Sequence, residues 1–319
     1  MSQPLDAFTH NQRLGRGVNI IGYDPIWKSR AQARMQAKHF RLIREAGFNH
    51  VRINLHPFRF MGRAPEYPLD AEWLATLDWA LAQCQENGLL AILDLHEFTA
   101  MAEDPIGLKP KFNAVWRQLA PRYQNAPAEV LFEILNEPNK ALTPEMWNEY
   151  LKEPLAIIRA TNPTRTVIIG PAFWNGIDFL HKLELPPDDR HIIVTVHYYH
   201  PMDFTHQGAS WAVEHRDKSG VRWLGLAEEQ QAIQGHFGGV QTWATAHERP
   251  IYLGEFGAYD KADMDSRVRY TSFVARQAER LGWSWGYWQF DSDFIVYDIN
   301  QGRWVEPIRD ALIPPASSS

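Results

Sequence analysis

Short apolar runs, four to six residues long, recur along this chain and alternate with longer amphipathic stretches. The short runs are Gly17–Ile21, His50–Ile53, Leu89–Asp94, Val130–Leu135, Thr166–Gly170, His191–Val196, Pro250–Gly254 and Ser284–Trp288. Their length, β-branched content and flanking Gly and Pro predict eight buried strands. The amphipathic stretches predict helices over Ala33–Ala46, Leu69–Asn87, Val115–Arg122, Pro144–Ala160, Glu228–His247 and Asp265–Leu281. Three of them stop at a glycine, Gly47, Gly88 or Gly282, as helices that end in a left-handed residue do.

Strands alternating with helices imply βαβ units and a parallel sheet. Eight such units in 319 residues predict the α/β class and a (β/α)8 TIM barrel rather than an open doubly wound sheet. No G-x-G-x-x-G follows the first strand, since Gly15-Arg-Gly17 precedes it, which weighs against a dinucleotide fold. No linker or low-complexity block interrupts the chain, so residues 1–319 read as one domain. Its tail, Pro314-Pro-Ala-Ser-Ser-Ser319, reads as disordered and could be the stub of a linker to another module.

Composition narrows the function classes. The chain is 45% hydrophobic and 22% charged, with a net charge of −6, which excludes nucleic acid and an anionic membrane surface as expected partners. The single cysteine, Cys84, rules out an internal disulfide and reads as a buried thiol in a helix. No CxxC or HExxH motif is present, and neither metal nor cofactor is expected. No apolar stretch approaches the roughly 20 residues of a membrane span. The start, Met1-Ser-Gln-Pro-Leu-Asp, has no leader character, so either the protein is intracellular or a leader is absent from this chain.

Two strings carry the chemistry: Ile134-Leu-Asn-Glu-Pro138 and Tyr252-Leu-Gly-Glu-Phe-Gly257. Each places a glutamate where a buried strand meets a loop, a costly position for a carboxylate that does no work. Glu137 and Glu255 therefore read as a working pair, one acid and one carboxylate across a scissile bond. If the site sits at the C-terminal strand ends, polar and aromatic residues should gather there. They do: Asn19 and Tyr23, Arg52 and Asn54, His96 and Glu97, Asn136, Trp174 and Asn175, His197 and Tyr199, then Trp288 and Gln289.

With Val51-Arg-Ile53, His197-Tyr-Tyr199 and Tyr287-Trp288 in the same order, the two strings resemble glycoside hydrolase family 5 over Gly15 to about Arg309. This is a clan of retaining (β/α)8 β-glycanases rich in bacterial endoglucanases. Pro201 and Phe204-Thr-His-Gln-Gly-Ala-Ser-Trp211 resemble the strand-six loop of its cellulase-like members. The resemblance implies Glu137 as acid/base and Glu255 as nucleophile, with Arg52 orienting and ionising Glu255. It implies Asn136 on the sugar 2-hydroxyl, His197 and Tyr199 flanking the carboxyls, His96 contacting substrate and Trp288 beneath the reacting sugar. One departure stands out: Glu97 occupies the place where cellulase members often carry a second histidine.

Physical chemistry supports the same assignment. Retention needs two carboxyls about 5–5.5 Å apart. Neighbouring carboxyls resist ionising together, so one keeps its proton while a guanidinium such as Arg52 holds the other as carboxylate. Sugar rings stack on indoles, and thirteen Trp residues fit such a substrate. Tyr23, Trp27, Trp174 and Trp211 are candidate cleft-lining residues, whereas Trp116, Trp147 and Trp243 read as helix packing. Glu103-Asp104 and Asp188-Asp189 read as solvated loop charges, and His10, His39 and His181 as outside any site.

The expected protein is a monomeric endo-β-1,4-glucanase acting on a β-glucan polysaccharide or oligosaccharide, secreted or periplasmic, with a cytoplasmic location left open. The alternatives are the same chemistry on mannan, mixed-linkage glucan or xyloglucan, and a non-catalytic carbohydrate-binding barrel. A phosphate-binding barrel enzyme is disfavoured, because no glycine-rich anion loop follows strand seven or eight.

Overall fold

The computed structural model describes residues 5–315, and its eight parallel strands close into a barrel in chain order. They are β1 (Arg16–Ile20), β2 (His50–Leu55), β3 (Leu90–Leu95), β4 (Val130–Glu133), β5 (Val167–Ile169), β6 (Ile192–Tyr198), β7 (Ile251–Phe256) and β8 (Ser284–Tyr287). β1 pairs with both β2 and β8, which completes the ring. The expected (β/α)8 fold is therefore present. Among the described residues no helix is long and apolar enough to cross a membrane.

Strand periodicity sorts the chemistry by height. Successive side chains face opposite sides, so β2 turns His50, Arg52 and Asn54 inward while Val51, Ile53 and Leu55 pack outward against the helices. The lower interior is apolar, built from Leu90, Ile92, Leu131, Ile168, Ile193 and Tyr252. One step higher the inward positions become Asn19, Arg52, Asp94 and Glu133, all buried. The floor is closed by a helix that the pattern did not predict, Ala7–Leu14. Its Leu14 joins the inner apolar layer, Asn11 Nδ2 donates to the Ile251 carbonyl (3.0 Å), and His10 Nδ1 lies 2.5 Å from Thr166 Oγ1. His10 thus serves the floor, far from the strand ends.

Several boundaries move for local reasons. Asp24 accepts from the amides of Arg34 (3.2 Å) and Met35 (2.8 Å), so the helix expected from Ala33 begins at Ala37. The stretch expected as one helix over 144–160 is two, Pro144–Tyr150 and Lys152–Thr161, because Pro154 has no N–H to donate to the Tyr150 carbonyl. The helix expected from Val115 starts at Pro105, capped by Asp104, whose side chain accepts from Gly107 N (2.9 Å). Glu103 ends the short helix before it and Asp104 is the non-helical junction between the two, both exposed as expected. Asp189, by contrast, is not simply solvated; it pairs with Arg159 at 2.7 Å. Ile21, expected in the first strand, is left-handed (φ 53°) and begins the turn beyond it. A two-stranded hairpin, Tyr297–Asp298 with Arg303–Trp304, and a last helix, Glu306–Leu312, were not predicted. Cys84, Trp116 and Trp147 are buried as expected. Residues 316–319 of the expected disordered tail lie outside the described residues.

Candidate active site

Arg52 is the hub of the site, fully buried at the centre of the barrel mouth. Its Nε and Nη2 donate to the two oxygens of Glu133 (2.7 and 2.8 Å). Nη1 donates to Asn19 Oδ1 and Glu255 Oε1, each at 2.8 Å. Nη2 also reaches Asn136 Oδ1 (2.8 Å) and lies 3.1 Å from Asp94 Oδ2. A guanidinium so enclosed exchanges water for fixed carboxylates and amides, and removing it would strand buried charge at a cost of about 3–5 kcal/mol.

The two glutamates are held differently. Glu255 Oε2 accepts from the Tyr199 hydroxyl at 3.0 Å, opposite its Arg52 contact. Glu137 has no arginine contact; its Oε1 sits 2.6 Å from His197 Nδ1. Glu137 is itself left-handed (φ 43°), so the chain turns sharply after Leu135 and Asn136 and aims the side chain over the mouth.

Glu255 reaches the site through a bulge. Tyr252 and Gly254 face inward, so strict alternation would turn Glu255 outward. The pairing with β6 slips between Val196 and His197, leaving Gly254 unpaired and setting Glu255 beside His197. Only glycine fits at the slip, because a Cβ on Gly254 would lie 2.5 Å from Thr195 Oγ1 and 2.9 Å from His197 Nε2.

Three buried carboxyls contact one guanidinium and partly buried Glu137 lies close by, so they cannot all ionise cheaply. Burial, opposed by Arg52 and reinforced by Asp94 and Glu133, pushes Glu137 up to about 8. Burial pushes Glu255 to about 7, with His197 and Arg52 pulling it down and Glu137 pushing it up. Glu255 therefore gives up its proton first. Burial also lowers His197 and His96, which favours their neutral forms.

The raised Glu137 has a stability consequence. Unfolded, it ionises near the ordinary value of 4.5; folded, only near 8. The folded state binds the extra proton between these values, so stability is lost as pH rises from about 4.5 through 8. Glu137→Gln is expected to raise Tm at pH 9 by roughly 1.5–3 °C, about 1–2 kcal/mol, and to make little difference at pH 4. Thermal unfolding at both pH values checks this.

Most of the expected site residues converge. Asn19 and Asn136 bind Arg52, so both hold the hub; Asn136 Nδ2 also lies 3.4 Å from His96 Nε2. His96 Nδ1 is 2.6 Å from Asp94 Oδ2, and its ring lies parallel to half-buried Trp288 (5.6 Å, 8°). Tyr23 is 62% exposed, its ring tilted by 33° against that of His56 at 5.0 Å. Trp174 and Trp211 are exposed. Trp27 is a correction: it is only 4% exposed, stacks on Trp73 (5.3 Å) and donates Nε1 to the Ile21 carbonyl, so it packs beneath the first loop and lines no cleft.

Sequence reasoning missed Asp94, Glu133 and the role of Asn54, whose Nδ2 donates to Asp94 at 2.9 Å. Glu133, an acid inside an otherwise apolar strand run, was the available signal. Glu97 turns to the chain, where Oε1 accepts from Phe58 N at 2.6 Å, and burial raises it to about 7. The one set able to hold a cation among the described residues is Glu137, His197 and Glu255, whose nearest donor atoms lie within 4.8 Å of one another. His197 Nδ1 is already committed there to Glu137.

A barrel with paired carboxyls at the ends of β4 and β7 and an arginine at its centre defines a hydrolase class, and comparison with known proteins agrees. The family described as Cellulase (glycosyl hydrolase family 5) matches residues 12–293. Endoglucanase H of Acetivibrio thermocellus is 30% identical over 98% of this chain, although the chain spans only 34% of that protein. Endoglucanase C of the same organism is 26% identical, with 93% of this chain and 96% of that protein covered. Thermotoga maritima Cel5A, solved with mannotriose and with cellobiose, is 39% identical with a TM-score of 0.92, covering 97% of this chain and all of that one. The chain belongs to glycosyl hydrolase family 5.

Proposed function

We propose that the chain is a retaining endo-acting β-glycanase that hydrolyses internal β-1,4-glucosidic bonds by double displacement. The observation that carries this is the spacing of Glu137 and Glu255, whose facing oxygens lie within 4.8 Å of each other. Such a pair lacks the ~6.5–9.5 Å gap that an inverting enzyme needs for water. Glu255, held by Arg52 and Tyr199, attacks the anomeric carbon as the carboxylate. Glu137, whose raised pKa keeps its proton, protonates the departing oxygen. Once ionised, Glu137 takes a proton from water, which releases the sugar from Glu255 with its configuration retained. No metal or cofactor takes part in this scheme, and the enzyme acts as a monomer. A polymeric substrate supports action outside the cytoplasm.

The protonation pattern predicts a bell-shaped kcat/KM. Its acid limb follows Glu255 and its basic limb Glu137, both above the ordinary carboxyl range and near 7 and 8. A profile with both limbs below pH 5 would contradict the burial argument.

Trp288 lies parallel to His96 at the mouth, and in this reading it is the platform beneath the reacting sugar. Trp288→Ala is expected to lower kcat/KM on a soluble oligosaccharide by at least ~2 kcal/mol of transition-state binding, taking ~25 cal/mol per Å² of aromatic area lost. An unchanged kcat/KM would remove Trp288 from the site.

β-Mannan is the second reading, favoured because a relative 39% identical has been solved with both mannotriose and cellobiose. Reducing-sugar release from carboxymethylcellulose, glucomannan and lichenan, with product lengths, tests both readings and endo action. Release from none of them would reject the glycanase reading in favour of a binding barrel.

A further inference from the structure

The loop after β5 holds three consecutive left-handed residues, Phe173, Trp174 and Asn175, with φ of 56°, 60° and 52°. L-residues avoid this conformation, so its surroundings must impose it. Trp174 N donates to the Pro138 carbonyl (3.2 Å), tying the turn to the loop that carries Glu137. His197 N donates to the Asn175 carbonyl (3.0 Å), tying the same turn to β6. Asn175 is fully buried, and a Cβ on Gly170 would lie 2.5 Å from its Oδ1, so the amide has a fitted slot.

That amide faces the far side of the histidine that holds Glu137. Asn175 Nδ2 lies 3.3 Å from His197 Nε2. An amide nitrogen can only donate, so Nε2 must present its lone pair. The single proton of a neutral imidazole then sits on Nδ1, 2.6 Å from Glu137 Oε1.

We infer that Asn175 is a positioning residue that fixes the tautomer of His197 and so sets how firmly Glu137 holds its proton. The inference rests on the proposed acid/base role of Glu137 and adds a second residue that tunes it. His197 is also faced by Glu255 from β7, Arg52 from β2, Glu133 from β4 and Asp94 from β3. Glu137 is faced by Arg52, Asp94 and Glu133 as well. None of these charged groups changes when Asn175 does.

Two variants should move Glu137 in opposite directions. Asn175→Asp keeps shape and tolerance of left-handed backbone but turns the donor into an acceptor. It draws a proton to Nε2, and the resulting imidazolium holds Glu137 as carboxylate, lowering the basic limb of kcat/KM. Asn175→Gly keeps the turn and removes the donor. Nδ1 is then free to accept from protonated Glu137, which raises that limb. Each shift is expected to be about one pH unit, so at the wild-type optimum Asn175→Asp should lose roughly threefold while Asn175→Gly loses nothing by this route.

The test combines pH profiles on an aryl β-cellobioside with 15N NMR of histidine-labelled, substrate-free protein. The wild type should show His197 protonated on Nδ1 and bare at Nε2. Limbs that stay put in both variants, or a wild-type Nε2–H, would overturn the inference. The NMR reading needs no activity, so it decides the matter if a variant fails to fold or if the glycanase reading fails.

Discussion

Glu255→Ala is expected to lose at least ~10⁴-fold in kcat on a soluble β-glucan, because removing a covalent nucleophile abolishes the intermediate instead of weakening it. The cavity left at the end of β7 lies beside Arg52 Nη1 and the Tyr199 hydroxyl, both of which donated to the lost carboxylate. An azide ion can enter there and attack the same anomeric carbon. With an activated β-glycoside the product should be the inverted α-glycosyl azide, since azide replaces the nucleophile itself. Product configuration by NMR checks this.

Glu137→Ala should fail differently. On natural glycans, whose leaving groups need a proton, the loss should be ~10²–10⁴-fold. An aryl glycoside with a good leaving group should suffer far less in the first step, and the glycosyl-enzyme should then accumulate because no base activates water. Azide needs no base, so it should restore turnover and give the β-glycosyl azide. An α-azide from this variant together with a β-azide from Glu255→Ala would swap the two roles. Undiminished activity in both would end the paired-carboxylate account.

The barrel was legible because its signal is local. Each buried strand is a short apolar run between turn residues, and eight of them in sequence leave few alternative topologies. What the pattern missed is non-local. Helix Ala7–Leu14 is marked only by Asp6, whose side chain accepts from Thr9 N at 2.8 Å, and its purpose appears only when the barrel floor exists to be closed. β2, β6 and β7 outrun their apolar runs because Asn54, His197 and Glu255 stay in the ladder while carrying polar chemistry.

The site shows the same division. Residues at strand ends were found by position: Arg52 and Tyr199 bond Glu255, His197 lies beside Glu137, and Asn136 accepts from Arg52. Glu133 and Asp94 were not, because an acid inside an apolar strand finds its partner only across the barrel, and Arg52 is 81 positions away from Glu133. Trp27 misled for the opposite reason: it follows the first strand as a cleft residue would, yet the turn at Ile21 carries it down onto Trp73. Sequence distance from a strand end does not determine which way the loop folds.

The central claim is that Glu255 forms a covalent bond to the sugar while Glu137 moves the proton. A 2-deoxy-2-fluoro β-cellobioside with a good leaving group tests it most directly, because the fluorine slows release of the intermediate more than the departing group allows its formation to slow. Mass mapping of the inactivated protein should find one glycosyl adduct, within Pro250–Tyr259 and on Glu255. An adduct on Glu137, or cleavage of the reagent with no adduct and inverted product, would contradict the account.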